Sequence, residues 1–309
     1  MKTNKIKLVK KLKNDIIDNK TILSINNTNI TNIPNNKLIE KKNLNIYSWN
    51  ISGLRSIIKK SDFKDFLNNE NPDILCLNET KIDKELEKDF NYLCGDNYYS
   101  FFNSCSTKKG YSGVAVYTKL LPINVFYGIK IQDKNSLESD NNEQGRVITL
   151  EYNEFYLISS YFPTTNENTN GINYRINYWD TNFKKYTDLL ILNNKPIIWI
   201  GDCNIIYDIK DVYQSKSSQK NFYNSYNEIV SFNSIVTDKF IDTFRMLNKD
   251  IIKFTYWSYM RNSRNQNKGW RLDYAFISKE HINKVVKSNI LDNYYGSDHC
   301  PIMIEYSSC

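Results

Sequence analysis

Four bulky apolar residues in succession, Ile197-Ile198-Trp199-Ile200, follow Pro196 and run straight into Gly201-Asp202-Cys203-Asn204. An apolar run this short, with β-branched members and turn residues at both ends, reads as a strand buried on both faces. Beyond the strand, alternation would aim Asp202 and Asn204 the same way off the end of a sheet. An acid and a neutral amide held rigidly together suit work on a phosphate. The same residues are also ordinary turn chemistry.

Three further strand ends repeat the pattern. Leu44–Asn50 alternates like a strand and ends in Asn50-Ile51-Ser52-Gly53-Leu54-Arg55. Ile74–Leu77 is a second buried run with Glu79 just past its end, and Asp298-His299-Cys300-Pro301 introduces a final strand through Ile304. Gly113–Tyr117 and the pair Arg146–Glu151 and Glu154–Tyr161 read as strands, the pair as a hairpin turning at Asn153. Ser61–Asn69, Tyr174–Leu192 and 226–247 read as helical, Phe254–Tyr259 as an aromatic strand, and 130–145 as a polar loop. No internal repeat at fixed period is visible, and no linker divides the body.

Charge separates two regions. Residues 1–43 hold ten Lys against three acids, whereas the remaining residues hold 31 basic and 31 acidic side chains. The net charge of +7 therefore belongs to a Lys/Asn-rich extension, 1–43, expected to be flexible; the body, 44–309, is formally neutral. The six cysteines show no CxxC pair, and the two histidines exclude a zinc site built from several His. No apolar run approaches the roughly 20 residues that span a bilayer. Carboxylates and carboxamides with few nitrogens favour a hard cation, Mg²⁺ or Mn²⁺.

The motifs, in order, are Ser48-Trp49-Asn50…Gly53-Leu54-Arg55, Pro72-Asp73-Ile74-Leu75-Cys76-Leu77…Glu79-Thr80-Lys81, and Gly110-Tyr111-Ser112-Gly113-Val114-Ala115. Gly145-Arg146-Val147-Ile148, Gly201-Asp202…Asn204, Gly269-Trp270-Arg271-Leu272-Asp273-Tyr274 and Gly296-Ser297-Asp298-His299-Cys300-Pro301 follow. This series resembles the exonuclease III class of apurinic/apyrimidinic (AP) endonucleases, in the endonuclease/exonuclease/phosphatase superfamily, over residues 44–306. The resemblance implies an α/β fold of DNase I-like type: a four-layer sandwich of two mainly antiparallel or mixed sheets packed face to face with flanking helices. It implies Mg²⁺-dependent cleavage of double-stranded DNA 5′ to an abasic site, leaving a 3′-hydroxyl, with 3′-exonuclease or 3′-phosphodiesterase action at the same site.

The resemblance also implies roles. Glu79 is the principal metal carboxylate, with Asn50 and Asp298 beside it and Asp202, Asn204 and His299 completing the metal set. His299, partnered by Asp273, contacts the phosphate; Asp202 manages a proton; Asn204 holds phosphate; Tyr161 lies near it. Arg55, Lys81 and Arg146 are expected at the substrate, and Tyr256, Met260, Asn267 and Trp270 at a pocket for the flipped-out abasic sugar. Ser52 stands where many relatives carry Asp or Asn. No DNA-inserting Arg can be placed, Arg175 aligning with a helix position. A monomer working inside the cell is expected, in the nucleus of a eukaryote. The rival readings are a non-specific or retrotransposon-type endonuclease and a catalytically silent DNA-binding module.

Overall fold

The computed structural model describes residues 43–129, 143–165 and 169–308. The extension before Asn43, most of the expected polar loop 130–145, Asn166, Glu167 and Cys309 lie outside the described residues.

Twelve strands form two six-stranded sheets. The first sheet has the order β11-β12-β1-β2-β4-β3 and the second β5-β6-β7-β8-β10-β9. In the first, β1 (Asn43–Asn50) runs parallel to β2 (Ile74–Asn78), flanked by antiparallel β12 (Ile302–Ser307) and β4 (Val114–Thr118). β11 (Val285–Ile290) and β3 (Tyr99–Asn103) close its edges. In the second, β7 (Tyr156–Tyr161) runs parallel to β8 (Ile197–Asp202), flanked by antiparallel β6 (Val147–Glu151) and β10 (Asp273–Ser278). β5 (Asn124–Tyr127) and β9 (Phe240–Asp242) are its edges. Each sheet thus carries one parallel pair at its centre between two antiparallel pairs. The sequence shows no repeat, yet the topology repeats.

Side-chain alternation builds the layers. Along β1, Leu44 and Ile46 point into the space between the sheets, with Ile74, Cys76, Val114, Ile198, Ile200 and Ala275. Tyr47 and Trp49 point outward, where the helix Ser61–Glu70 lays Phe63 and Phe66 against them. On the second sheet Trp199 and Phe276 face outward onto Phe183 of the helix Thr181–Ile191 and Phe232 of the helix Tyr226–Val236. Trp199 is fully buried, stacks on Phe162 and Phe276, and donates its indole N–H to Ser160 Oγ at 2.7 Å. The result is the expected four-layer α/β sandwich.

Several local expectations change. The helical reading of 226–247 is interrupted at Val236, and Phe240–Asp242 is an edge strand. The aromatic run Phe254–Tyr259 is not a strand; it makes only isolated bridges, from Tyr256 to Trp270 and to His299. Residues 174–191 are helical as expected, but Tyr174–Asp180 is wound as a π-helix before the α-helix begins at Thr181. Lys216–Asn224 adds a helix ahead of residue 226.

Candidate active site

The parallel pairs decide where the chemistry sits. β1 and β2 end side by side at Asn50 and Asn78, and β7 and β8 at Tyr161 and Asp202. Antiparallel β10 starts at Asp273, opposite Asp202, while β12 starts at Ile302, opposite Ser48, so the loop before it delivers His299 to the same end. Backbone strain concentrates there: Ser52, Glu79, Lys81 and Asn204 hold φ of 48°, 54°, 51° and 46°. A non-glycine residue in this left-handed region costs about 1–3 kcal/mol, so the surrounding structure must hold each one in place. Gly201 is needed for a separate reason, because a Cβ there would fall 2.0 Å from Ser160 O of the neighbouring strand.

Two groups of side chains, each drawn from both sheets, meet at these strand ends. In the first, Glu79 accepts hydrogen bonds from Tyr161 Oη (2.6 Å) and Asn50 Nδ2 (3.1 Å) and pairs with Lys81 Nζ (2.7 Å). Burial opposes its charge, but these three donors outweigh it and hold Glu79 below the usual carboxylate range. Tyr161 is pushed the other way, by burial and then by the Glu79 charge, and stays a neutral phenol.

In the second group, His299 Nδ1 lies 2.7 Å from Asp273 Oδ2 and its Nε2 lies 3.9 Å from Asp202 Oδ2. Burial opposes a charged imidazole, yet the carboxylates of Asp273, Asp202 and Asp298 outweigh it and raise His299 to about 10. Asp202 is fully buried; that burial and then the Asp273 charge push its carboxyl up to about 7. Asn50 joins the two groups, its amide N–H₂ donating to Glu79 and, at 2.8 Å, to Asp202 Oδ2.

Among the described residues, Asp202, Asp273 and His299 form the one group of three acidic, histidine or cysteine side chains whose ligand atoms lie within 4.8 Å of one another. This cluster offers two carboxylates and an imidazole, donors that suit either a metal ion or proton transfer. Glu79 is paired with the Lys81 ammonium, and half-buried Asp298 accepts from Ser297 Oγ at 3.1 Å. Asn50 was expected among the metal ligands, but its Oδ1 accepts from Ser52 N at 3.0 Å and its N–H₂ faces the carboxylates.

The other expected residues divide. Asn204 is not aligned with Asp202 by strand alternation, because β8 stops at Asp202. Instead its left-handed backbone folds it back, placing its N–H 2.8 Å from Asp202 Oδ1 and its Nδ2 2.9 Å from Phe162 O. Tyr256 is half-buried with its ring centroid 4.9 Å from that of His299 and 5.7 Å from that of Trp270. Arg55 and Met260 are exposed; Met260, at 74 %, stands clear of the wall. Asn267 is exposed too, and its Oδ1 accepts from the indole of buried Trp257. Arg146, expected at the substrate, is buried: it donates to Gln144, Tyr111 Oη and Tyr161 O, and lies under the Tyr161 ring. It supports Tyr161 rather than meeting solvent.

Three contributors went unrecognised in the sequence. Asn78 ties the two sheets together, accepting from Ser48 Oγ and Asp202 N and donating to Ser160 O. Ser297 Oγ donates to Asn50 O at 2.8 Å and accepts from His299 N, fixing the histidine loop to β1. Phe222, from the helix Lys216–Asn224, packs with Tyr256 and Trp270 on Val212 and Leu272, extending the apolar wall. A polar residue closing an otherwise apolar strand was the available signal for Asn78; Phe222 had none.

Residues 47–299 match the Endonuclease/Exonuclease/phosphatase family. The chain is 36 % identical to a DNA-(apurinic or apyrimidinic site) endonuclease of Dictyostelium discoideum over 289 residues, 92 % of this chain and 76 % of that protein. It is 33 % identical to an exodeoxyribonuclease of Bacillus subtilis over 261 residues, 84 % of this chain and 98 % of that one. Among solved structures, an AP endonuclease from Leishmania major superposes with a TM-score of 0.75 at 27 % identity, covering 86 % of this chain and 88 % of its own.

Proposed function

The chain belongs to the endonuclease/exonuclease/phosphatase family, and we infer that it is an AP endonuclease, hydrolysing the phosphodiester 5′ to an abasic site in double-stranded DNA. The observation that carries this reading is the pair His299–Asp202, 3.9 Å apart, with Asp273 bonded to the other imidazole nitrogen, Glu79 joined to Asp202 through Asn50, and an aromatic wall at their edge.

Glu79 and Asp298 would hold Mg²⁺, or Mn²⁺ in its place, which when bound would neutralise charge developing on the phosphoryl oxygens. His299, locked in orientation by Asp273, presents its Nε2–H to a phosphoryl oxygen as a fixed charged donor. Asp202, poised near neutral pH, takes a proton from the attacking water. The water oxygen bonds to phosphorus as the P–O3′ bond breaks, and the departing O3′ takes a proton from solvent, leaving a 3′-hydroxyl and a 5′-phosphate on the abasic sugar. Asn204 and Asn50 hold Asp202 through N–H donors, and Tyr161 holds Glu79, so the acids cannot wander during the reaction. The same groups act on a 3′-terminal phosphodiester, which accounts for a 3′-exonuclease or 3′-phosphodiesterase activity beside the incision.

Substrate choice falls to Tyr256, Trp270, Phe222 and Leu272. An apolar wall beside the phosphate site accepts a sugar without its base, and extruding a baseless nucleotide costs less than unstacking an intact one. The protein acts as a monomer within the cell, in the nucleus of a eukaryote. No helix among the described residues is long and apolar enough to cross a membrane, and the five described cysteines are free thiols. Incision of a duplex carrying one abasic analogue is the test. Activity should vanish in excess chelator and return with Mg²⁺ or Mn²⁺; full activity in chelator, or none with metal present, overturns the reading.

A further inference from the structure

Arg175 is 1 % exposed and touches no solvent-facing part of the site, so it does not reach DNA. Its guanidinium donates to Pro163 O from Nη1 and to Cys203 O from Nη2, both at 2.9 Å. Those carbonyls lie just past the last ladder pair of β7 and β8, Tyr161 with Asp202. Between them, Phe162 N donates to Asp202 O and Asn204 Nδ2 donates to Phe162 O, with the Phe162 ring beneath the guanidinium. Arg175 Nε donates to Asp180 Oδ1 at 2.8 Å, and Asp180 is also 1 % exposed.

The winding of this segment makes the pair. In an α-helix, turning about 100° per residue, side chains five apart point roughly 140° away from each other. The wider π turn, closed by i→i+5 hydrogen bonds, stacks residue 180 over residue 175. A helix interior gains nothing from a π turn by itself, and a buried guanidinium is costly unless fully paired. Both features acquire a reason if the ion pair serves the two strand ends.

We propose that Arg175, held by Asp180 through the π-helical turn, is a positioning residue that clamps the ends of β7 and β8 and thereby fixes Asp202 and Asn204 for hydrolysis. One forked, planar donor bridges two carbonyls that no ladder bond reaches, which a lysine ammonium cannot do with the same geometry. The proposal rests on the functional reading above for its kinetic consequence, and on the hydrogen bonds alone for its structural one.

The experiment compares the full chain with R175K, D180N, N204A and R175K/N204A. R175K should stay folded by circular dichroism and lose kcat on an abasic duplex by roughly 10- to 100-fold, with KM within twofold, as expected for small misplacement of reacting groups. D180N, which keeps the guanidinium but loosens it, should fall between. In the N204A background, R175K should cost less than it does alone, because one of the two residues it positions is gone and only Asp202 remains. An unchanged kcat in R175K, a loss carried by KM, or the full penalty persisting beside N204A would each overturn the clamp. Hydrogen exchange judges it independently of activity: the Phe162 and Asn204 amides should exchange faster in R175K while Ile198 in mid-β8 stays protected. Equal protection would refute the clamp, whereas a wild type that fails to incise abasic DNA would refute only the functional reading.

Discussion

Glu79 and His299 sit within one site but do different work, and substitution should separate them. Glu79→Gln removes a charge that attracts a cation, so raising Mg²⁺ or Mn²⁺ should recover part of the rate. His299→Asn removes a fixed charged donor, a loss on the order of 10²–10³-fold in kcat that metal should not restore. Superimposable metal titrations for the two variants would refute the division. Asp202 carries a stability consequence as well. Its carboxyl ionises at about 7 in the folded protein against 3.8 ordinarily, so between those values the folded state holds a proton the unfolded chain has released. Stability from this group therefore falls as pH rises through that window. His299, raised from 6.5 to about 10, contributes stability that is complete below 6.5 and lost as pH rises through 10. Asp202→Asn should abolish incision yet melt higher than wild type at pH 8, with the gain shrinking toward pH 4. A variant less stable than wild type at pH 8 would show that the ionised carboxylate is a net stabilising group.

At the scale of elements, the site depends on two sheets holding their strand ends level, and Asn78 is the side chain that spans them. Asn78→Ala would remove the side-chain bonds to Ser48 Oγ, Asp202 N and Ser160 O that cross between the sheets, at about 0.5–1.5 kcal/mol for each net hydrogen bond lost. Urea denaturation should show that loss together with a fall in kcat; a change below about 0.5 kcal/mol, the level of ordinary surface substitutions, would mean the tie contributes little. The aromatic wall is likewise an assembly of elements. The bridges of Trp270 to Val212 and Tyr256, and the bidentate Arg271–Asp211 pair, bind three distant segments around it. Trp270→Ala should reduce incision at abasic sites more than affinity for intact duplex. Equal losses on both would remove the wall from substrate selection.

For the whole molecule, the question is what the basic extension adds to a neutral body. Asn43 already belongs to β1, paired with Ser307 and bonded to Glu305, so a truncation must spare it. Removing residues 1–42 should leave single-turnover cleavage nearly unchanged at saturating enzyme, because every group assigned to the chemistry lies after Asn43. DNA binding should weaken at low salt and converge with the full chain as salt rises. Each Lys engaged with a phosphate steepens the log affinity against log salt slope by at most ~0.9, and lysines engaged part of the time contribute less. A truncated protein that binds normally at low salt would make the extension inert toward DNA, and one that folds but cannot cleave would put part of the active site within it.

Sequence alone determined the central strands and the identity of the acids, because a strand buried on both faces must be continuously apolar and a functional residue at its end interrupts that run. Ile197–Ile200 before Asp202 and Ile74–Leu77 before Glu79 are legible for that reason. The edge strands β3 and β5 are half-buried along their whole length, so neither alternation nor an apolar run marks them. Tertiary structure also decided the fate of the arginines. Arg146, expected at the substrate, and Arg175, aligned with a helix position, are both buried, and their partners, Tyr161 O, Pro163 O and Cys203 O, arrive from strand ends that only the paired sheets bring together. Burial of a charge is set by acceptors distant in the chain, which local pattern does not encode. The same holds for the meeting of Glu79 with Asp202 through Asn50: each is written at the end of its own strand, and the face-to-face packing of the two sheets makes them one site.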